Sequence, residues 1–287
     1  MLFLLPGTAS SRRRVAEKLS QERPIVLMGR GHSGTRVLAW ICAHLGIRLG
    51  TAEDLATGDA EDRRFTDAVK ALTARNLGVV HPRDVKRRDL EIFRREVLGY
   101  LERLPPPKQA WGWKFPETYL LAPYVERTFP QAIYLHLVRD GRDIAFKQHL
   151  TDNPRRKLGR RILASQQTLG APRYIQAASS WAYQVDRFDT FRENVPAERI
   201  FDVRFEDLCR HPATTVEALT KALGVEMTPA CERYIATEIR PEKVAQHREE
   251  DPARVREVEA AVQATLTRYR YLEDENLKGG HLQDGGT

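Results

Sequence analysis

Cysteine and long apolar runs are both scarce in this chain of 287 residues, and each scarcity excludes a class of protein. The three cysteines, Cys42, Cys209 and Cys231, are widely separated and form no C-x-x-C pair, so they indicate neither a disulfide framework nor a zinc site. No stretch approaches the roughly 18 apolar residues that a membrane-spanning helix needs. The apolar stretch Leu2–Leu5 is too short for a secretion signal. These features predict a cytoplasmic protein with reduced cysteines.

Negative charge is also in deficit, because the formal net charge is +7. A basic balance favours an anionic partner such as nucleic acid, a phosphorylated nucleotide or an acidic glycan, and it says nothing about fold. The content of 41% hydrophobic and 30% charged residues is ordinary for a globular protein. No internal repeat or low-complexity linker divides the chain. We therefore expect one domain over residues 1–287, with an arm or first helix at 1–22 and a disordered tail from about residue 276.

Short apolar runs alternate with helical patterns along the chain. Pro24–Gly29 and Ala132–Val138 have the continuous apolar character of strands buried on both faces, and apolar residues recur at helical spacing after Gly34. This alternation predicts an α/β fold with a parallel central sheet flanked by helices. Further strands are expected at 110–114 and 199–205, helices at 61–76, 84–104, 117–129, 141–150, 213–223, 228–238 and 252–271 and through Trp181 and Phe188, and a long loop at 151–172.

A glycine-bearing loop, Gly29–Arg36, lies between the first strand and the first of these helices. Backbone N–H groups and the positive end of a helix make such a loop a cradle for phosphate or sulfate. The corresponding loop of ATP- and GTP-binding proteins ends in lysine and then serine or threonine. Here Thr35 and Arg36 take those two places, which argues against an NTPase or a kinase.

A second candidate anion site follows the strand at Ala132–Val138. Its residues are Arg139-Asp140-Gly141-Arg142-Asp143, which open another helix. Open α/β sheets bind ligands at the carboxyl ends of their strands, and a guanidinium there can hold a phosphate with two parallel hydrogen bonds. Asp143 is expected to be a local cap or to tether Arg142. A solvated charged turn is the alternative reading of this segment.

Together these segments resemble the nucleotide-binding signature of the PAPS-dependent sulfotransferases, in which PAPS is 3′-phosphoadenosine-5′-phosphosulfate. His32–Arg36 is similar to the family's [KR]-S-G-T-x loop, and Arg139–Asp143 to its R-D-x-R-D-like element. Trp111–Pro116 looks like the lysine-bearing strand between them, and Val203–Leu208 with His211-Pro212 looks like the later Y-E-D-L … P element. The resemblance implies a P-loop NTPase-like sulfotransferase fold. It also implies sulfuryl transfer from PAPS to an acceptor hydroxyl or amine, releasing adenosine 3′,5′-bisphosphate.

The resemblance also implies which residues hold the co-substrate. Arg139 would hold the 3′-phosphate, with Lys147 at a position that is usually serine in the family, and Phe205, in place of a tyrosine, would touch the adenine. The 5′-phosphosulfate would be held by the loop, whose residues are Arg30, Gly31, His32, Ser33, Gly34, Thr35 and Arg36.

Three residues are expected to act in catalysis. Lys114 would neutralise charge on the sulfuryl group and the leaving phosphate. His32, where the family carries lysine or arginine, would donate to the leaving oxygen, although histidine is not reliably cationic at pH 7 and Arg30 or Arg36 would compensate. Glu53 is the expected base for the acceptor, with Asp54 as its neighbouring alternative. Pro116 takes the place where other members use a histidine as base.

The acceptor is open among small molecules, glycans and lipids, and no metal, nucleic-acid partner or membrane span is expected. The basic cluster Arg155–Arg161 either faces an acidic acceptor or is solvated surface. Two rival functions remain: a P-loop kinase-like phosphotransferase, disfavoured by the missing lysine, and a non-catalytic module that binds a phosphorylated ligand. The oligomeric state is not predicted.

Overall fold

A five-stranded parallel sheet organises the computed structural model, which describes residues 9–51, 54, 61–105 and 110–272. Every strand pairing is parallel, and the strand order across the sheet is β2-β3-β1-β4-β5. Helices flank the sheet, so the expected α/β class is confirmed. The strands are β1 Ile25–Met28, β2 Ile47–Arg48, β3 Ala110–Lys114, β4 Ile133–Val138 and β5 Ile200–Arg204.

Strand β1 occupies the centre of the sheet, and all four of its residues are buried. It pairs with β3 on one side, where Leu27 lies opposite Lys114, and with β4 on the other, where Met28 lies opposite His136. Since the three strands are parallel, their carboxyl ends reach the same edge of the sheet. The glycine loop that follows β1 and Lys114 at the end of β3 therefore lie at the same edge of the sheet.

The expected helices occur in their expected order along the chain. The bounds of the helices are α1 Ala9–Ser20, α2 Thr35–His44, α3 Arg63–Asn76, α4 Arg87–Arg103, α5 Ala122–Thr128, α6 Gly141–Ala145, α7 Lys157–Ser165, α8 Arg173–Arg192, α9 Phe205–Arg210, α10 Pro212–Leu223, α11 Pro229–Thr237 and α12 Pro252–Arg268. Of these, α7 and α9 were not expected.

Helix α7 corrects the expectation of a long loop at 151–172. Its buried residues Leu158, Ile162 and Leu163 share one face, whereas Arg160 and Arg161 are exposed. Gly159 lies in this helix, and a larger residue would not fit there because its Cβ would overlap the backbone oxygens of residues 150 and 153. The abundance of Arg, Asn, Pro and Gly suggested a loop, yet only three apolar side chains are needed to bury one face of a short helix.

Two other expectations are refined. The helix expected at 117–129 consists of a 3₁₀ segment, Pro116–Leu121, followed by α5, and the one expected at 141–150 ends as α6 at Ala145. Residues 9–20 form α1, in which Leu19 is fully buried, so the first-helix alternative holds there. The tail expected from about residue 276 lies outside the described residues.

The chain divides into two compact units. One comprises the chain up to Val138 together with Arg187–Arg240 and contains the sheet; the other comprises Arg139–Asp186 and the chain from Pro241. The core of the first unit is aromatic, with Phe65 packed against Trp113 and Phe115 at ring-centroid distances of 5.5 and 5.1 Å. The expectation of a single domain stays a prediction.

The contact between β1 and β3 gives a test of the sheet. A Cβ on Gly112 would overlap the carbonyl oxygen of Ile25, and backbone cannot move aside cheaply. We expect Gly112→Ala to lower the free energy of unfolding by more than about 3 kcal/mol. In the control Gly78→Ala, where an added Cβ meets nothing within 4 Å, the change should stay within about 1 kcal/mol. Urea denaturation measures both, and equal values would contradict the pairing.

Candidate functional site

The loop after β1 has a geometry that demands glycine. Gly34 has φ +97°, a left-handed value, and a Cβ there would overlap the ring of Phe205. At Gly29 a Cβ would lie 2.8 Å from the carbonyl oxygen of Leu137 in β4. The turn is closed by the Ser33 amide, which donates to the Arg30 carbonyl at 3.1 Å. The loop thus runs close to neighbouring backbone and ring atoms, where side chains would not fit.

Helix α2 begins immediately after this loop. Gly34 is its N-cap and offers no side-chain acceptor, so the first amides of the helix have no cap from that residue. These amides and the positive end of the helix dipole favour an anion. Ser33 and Thr35 are buried, whereas His32 and Arg36 are exposed. The loop residues present therefore fit a phosphate or sulfate group.

Arg30 adds a buried positive charge to the loop. Its side chain is 1% exposed, and one guanidinium nitrogen donates to the carbonyl of Gly31 at 2.9 Å. A guanidinium at such depth keeps its charge because arginine does not deprotonate in proteins. His32, with φ 71°, is the exposed residue of the turn. Of these two, Arg30 is the constant cation.

Lys114 is buried at the carboxyl end of β3, with 3% of its surface exposed. Its Nζ lies 2.5 Å from Oε1 of Glu61. Lys114 is therefore a buried, ion-paired residue and not a solvated surface lysine. Glu61 was missed by the sequence analysis, since nothing in its neighbourhood indicates that it reaches a lysine more than fifty residues away.

A second carboxyl group lies close to this ion pair. Glu117 is 2% exposed and its Oε2 atom is buried without a hydrogen-bond partner. Burial raises the pKa of Glu117, and the nearby charge of Glu61 adds to that, whereas Lys70 and Lys114 oppose it. The carboxyl groups of Glu61 and Glu117 and the ammonium groups of Lys70 and Lys114 therefore lie near one another at the end of β3.

Of the two expected bases, Glu53 and Asp54, the structure describes only Asp54. Glu53 lies outside the described residues. Asp54 is described, and its Oδ2 accepts hydrogen bonds from the amide and the hydroxyl of Thr51, both at 2.8 Å. This carboxylate therefore holds a local turn.

Arg139, directly after β4, is buried with 4% of its surface exposed. Its Nη2 atom donates to Oδ2 of Asp143 at 2.8 Å, to the Lys243 carbonyl at 2.5 Å and to Oε1 of Gln246 at 3.2 Å. A solvated charged turn is therefore excluded for this residue. The expectation that Asp143 tethers Arg142 is wrong, because Asp143 holds Arg139 instead.

Arg142 has a different set of partners. Asp140 caps α6 by accepting from the Arg142 amide at 2.9 Å, and its carboxylate also accepts from the guanidinium at 2.8 Å. The guanidinium also donates to Glu259 and to the carbonyl of Tyr271, both at 2.9 Å. Arg142 thus holds together segments that are distant in the chain, and the residue that caps α6 is Asp140.

His247 completes the network around Arg139. Its amide and its Nδ1 lie 2.9 and 2.7 Å from Oδ1 of Asp143, which is fully buried. Burial by itself would raise the pKa of Asp143, but the hydrogen bonds from His247 and Arg139 lower it to about 2. Burial would lower the pKa of His247, but its contacts with Asp143 and the charge of Asp140 raise it above its ordinary value. The sequence contained no signal for this contact.

Lys147 belongs to the same network. Its Nζ donates to Oε1 of Gln246 at 2.9 Å, the same oxygen that accepts from Arg139. Burial lowers the pKa of Lys147, and the charge of Arg139 lowers it further. The expectation that Lys147 supplies a positive charge near Arg139 therefore agrees with the geometry, whereas its contact with a phosphate stays a prediction.

Two remaining expectations concern Phe205 and the basic cluster. Phe205 is 4% exposed and its ring lies against Gly34, so it supports the loop; its contact with adenine stays a prediction. The side chains at 155, 156, 157, 160 and 161 are all exposed. An open cavity of about 740 Å³ lies elsewhere, near Pro130 and Pro196, before β4 and β5 begin.

Across residues 9–51, 54, 61–105 and 110–272 there is no group of three or more His, Cys, Asp and Glu that could hold a metal ion. Within the same described ranges, no helix combines the length and the apolar character that crossing a bilayer requires.

Comparisons with known proteins agree with this fold. The family model described as "Sulfotransferase family" matches residues 24–229, well over half of the chain. The sulfotransferase domain from the Synechococcus PCC 7002 olefin synthase is similar at 18% identity, covering 86% of this chain and 96% of that one, with a TM-score of 0.52. Sulfotransferase STF9 from Mycobacterium avium is similar at 14% identity, with coverages of 96% and 84% and a TM-score of 0.50. No curated protein matches the chain.

The raised pKa of His247 predicts a pH-dependent contribution to stability. This contribution is complete below the pKa of an unfolded histidine and is lost as pH rises through the higher folded value. We expect His247→Gln to cost roughly 1–3 kcal/mol of unfolding free energy at about pH 5.5 and less at about pH 9. The exposed His211→Gln serves as control. Urea denaturation at both pH values measures the difference, and a cost that does not depend on pH would contradict the ion pair.

Proposed function

The chain belongs to the sulfotransferase family, and we propose that it transfers a sulfuryl group from PAPS to an acceptor hydroxyl or amine, releasing adenosine 3′,5′-bisphosphate. The observation that carries the proposal is the loop after β1. It presents helix amides and a buried Arg30 to an anion, but it has Thr35 and Arg36 where an ATP-using enzyme needs lysine and a metal-binding hydroxyl.

The loop and Arg139 have separate parts in holding PAPS. The 5′-phosphosulfate takes hydrogen bonds from the loop and from the first turn of α2, which is the chemistry that an anion finds at any helix N-terminus. The 3′-phosphate binds Arg139 and Lys147. A guanidinium and an ammonium together suit a phosphate because charge-assisted hydrogen bonds are about twice as strong as neutral ones.

Lys114 stabilises the charge that develops during transfer. The acceptor attacks in line while charge spreads over the oxygens of the sulfuryl group, so positioning and electrostatics supply most of the rate. A buried ammonium acts strongly because little water screens it. His32 donates a hydrogen bond to the leaving oxygen when it carries a proton there.

The base that takes the proton of the acceptor is Glu53 or Glu61. Glu53 was the expectation from the family resemblance. Glu61 is favoured by a contact: its carboxylate touches the lysine that we assign to the sulfuryl group, so an acceptor oxygen attacking that group would come within reach. The two glutamates are separable by mutation.

The acceptor is a small molecule, a glycan or a lipid, and the protein works in the cytoplasm. The three cysteines are buried thiols and not disulfides, which supports a reducing compartment. A non-catalytic phospho-ligand-binding module is the alternative, and it is favoured by the exposed His32 at the position where the family carries a constant cation.

A ligand panel tests the proposal. We expect adenosine 3′,5′-bisphosphate to raise the melting temperature, ATP with Mg²⁺ to leave it unchanged, and Arg139→Gln to weaken bisphosphate binding at least roughly thirtyfold. Radiolabelled PAPS should label a product from an acceptor library. Stabilisation by ATP and Mg²⁺ would support a kinase-like enzyme instead. Bisphosphate binding without any labelled product would support the binding module.

The choice of base has its own test. We expect Glu61→Gln to lower kcat roughly 10²- to 10⁴-fold, because the proton acceptor is lost. Affinity for the bisphosphate should change little. Glu53→Gln is the matched variant, and if that one shows the loss while Glu61→Gln keeps its kcat, Glu53 is the base.

A further inference from the structure

The side-chain amide of Gln246 is the meeting point of two cations. Its Oε1 accepts from Nη2 of Arg139 at 3.2 Å and from Nζ of Lys147 at 2.9 Å. Like charges repel, so two cationic side chains converge only where an acceptor lies between them. Here that acceptor is a neutral amide oxygen.

Charged groups of both signs surround the ammonium group of Lys147, which donates to the same Gln246 oxygen as Arg139. The ammonium group of Lys147 feels the cations Arg139 and Lys243 and the carboxylates Asp143 and Glu250. Asp143 is already committed to Arg139 and His247.

An anion oxygen would serve these two cations better than an amide does. Hydrogen bonds from a charged donor to a charged acceptor are shorter and stronger than those to a neutral carbonyl. Gln246 is only partly buried, and its contact with Arg139 Nη2 is longer than those that this atom makes to Asp143 and to the Lys243 carbonyl. Because Gln246 is only partly buried, its amide can turn towards solvent, and the entering phosphate oxygen then replaces it as the acceptor for both cations.

We propose that the amide oxygen of Gln246 occupies the position of a phosphate oxygen in the ligand-free protein, and that the 3′-phosphate of the nucleotide displaces it when it binds. The inference rests on the proposed function, since it concerns the phosphate subsite assigned to Arg139 and Lys147. It adds Gln246 as a placeholder that the phosphate has to displace from the two cations.

This arrangement affects only ligands that carry a 3′-phosphate. A nucleotide with a 3′-phosphate replaces one neutral acceptor with a dianion and gains from the exchange. A nucleotide without that phosphate leaves the amide in place and gains nothing there. Gln246 therefore competes with the 3′-phosphate of adenosine 3′,5′-bisphosphate and does not affect the binding of adenosine 5′-monophosphate.

The test compares two substitutions at Gln246 with two ligands. Gln246→Met keeps the length of the side chain but removes the amide oxygen, and Gln246→Glu fixes a carboxylate between the cations. We expect calorimetry to show bisphosphate affinity rising roughly two- to tenfold in Gln246→Met and falling at least roughly tenfold in Gln246→Glu. Affinity for adenosine 5′-monophosphate should stay within roughly twofold in both. Gln166→Met and Gln166→Glu, at an exposed glutamine, are the matched controls.

Several outcomes would overturn the inference. A loss of bisphosphate affinity in Gln246→Met would make the amide a ligand rather than a placeholder. Equal changes with both nucleotides would mean that Gln246 does not act through the 3′-phosphate. If the unmutated protein binds no bisphosphate, the proposed function fails, and inorganic phosphate titrated into the same variants then decides the inference alone. Equal affinities for inorganic phosphate in all variants would contradict the inference about Gln246.

Discussion

The parallel pairing of β1 with both β3 and β4 is the constraint on which the arrangement of the first unit depends. It brings the carboxyl ends of the three strands to one edge, so that Gly29, Lys114 and Val138 all lie there. The pairing is tight, because Gly112 leaves no room for a side chain against the backbone of β1. A loop that binds an anion needs such a frame: its amides act only if they are held in position before the ligand arrives.

The positive charges of the candidate site are held by protein partners. Lys114 has Glu61, Arg139 has Asp143, and Lys147 has the amide of Gln246. A buried cation without an acceptor would lose much of its hydration free energy, so these partners stabilise the ligand-free protein. They also keep each side chain in one orientation. A ligand anion then exchanges one acceptor for another and does not have to order a mobile side chain, which lowers the entropic cost of binding.

How much the sequence could predict depends on whether a signal is local. The strand–glycine loop–helix unit was predicted because buried apolar runs, glycines and helical spacing are all read within about twenty residues. The short strand β2 and helix α7 were missed, the first because two residues carry no period and the second because its composition resembled a loop. Glu61, Gln246 and His247 were missed for another reason: each meets its partner across a long stretch of chain, and nothing next to them in the sequence distinguishes them from other polar residues.

The sequence by itself determined the residue types and their order: a glycine loop without the lysine of ATP-binding proteins, an arginine after a central strand, and a lysine between tryptophan and phenylalanine. Those choices are covalent and local, and they sufficed for the α/β class and for the resemblance to sulfotransferases. Only the tertiary structure decided which carboxylate or amide each cation meets, and that Asp143 holds Arg139 and not Arg142. Such pairings depend on how separate segments pack, because the energy of a charge contact is set by distance and burial, which no linear pattern contains.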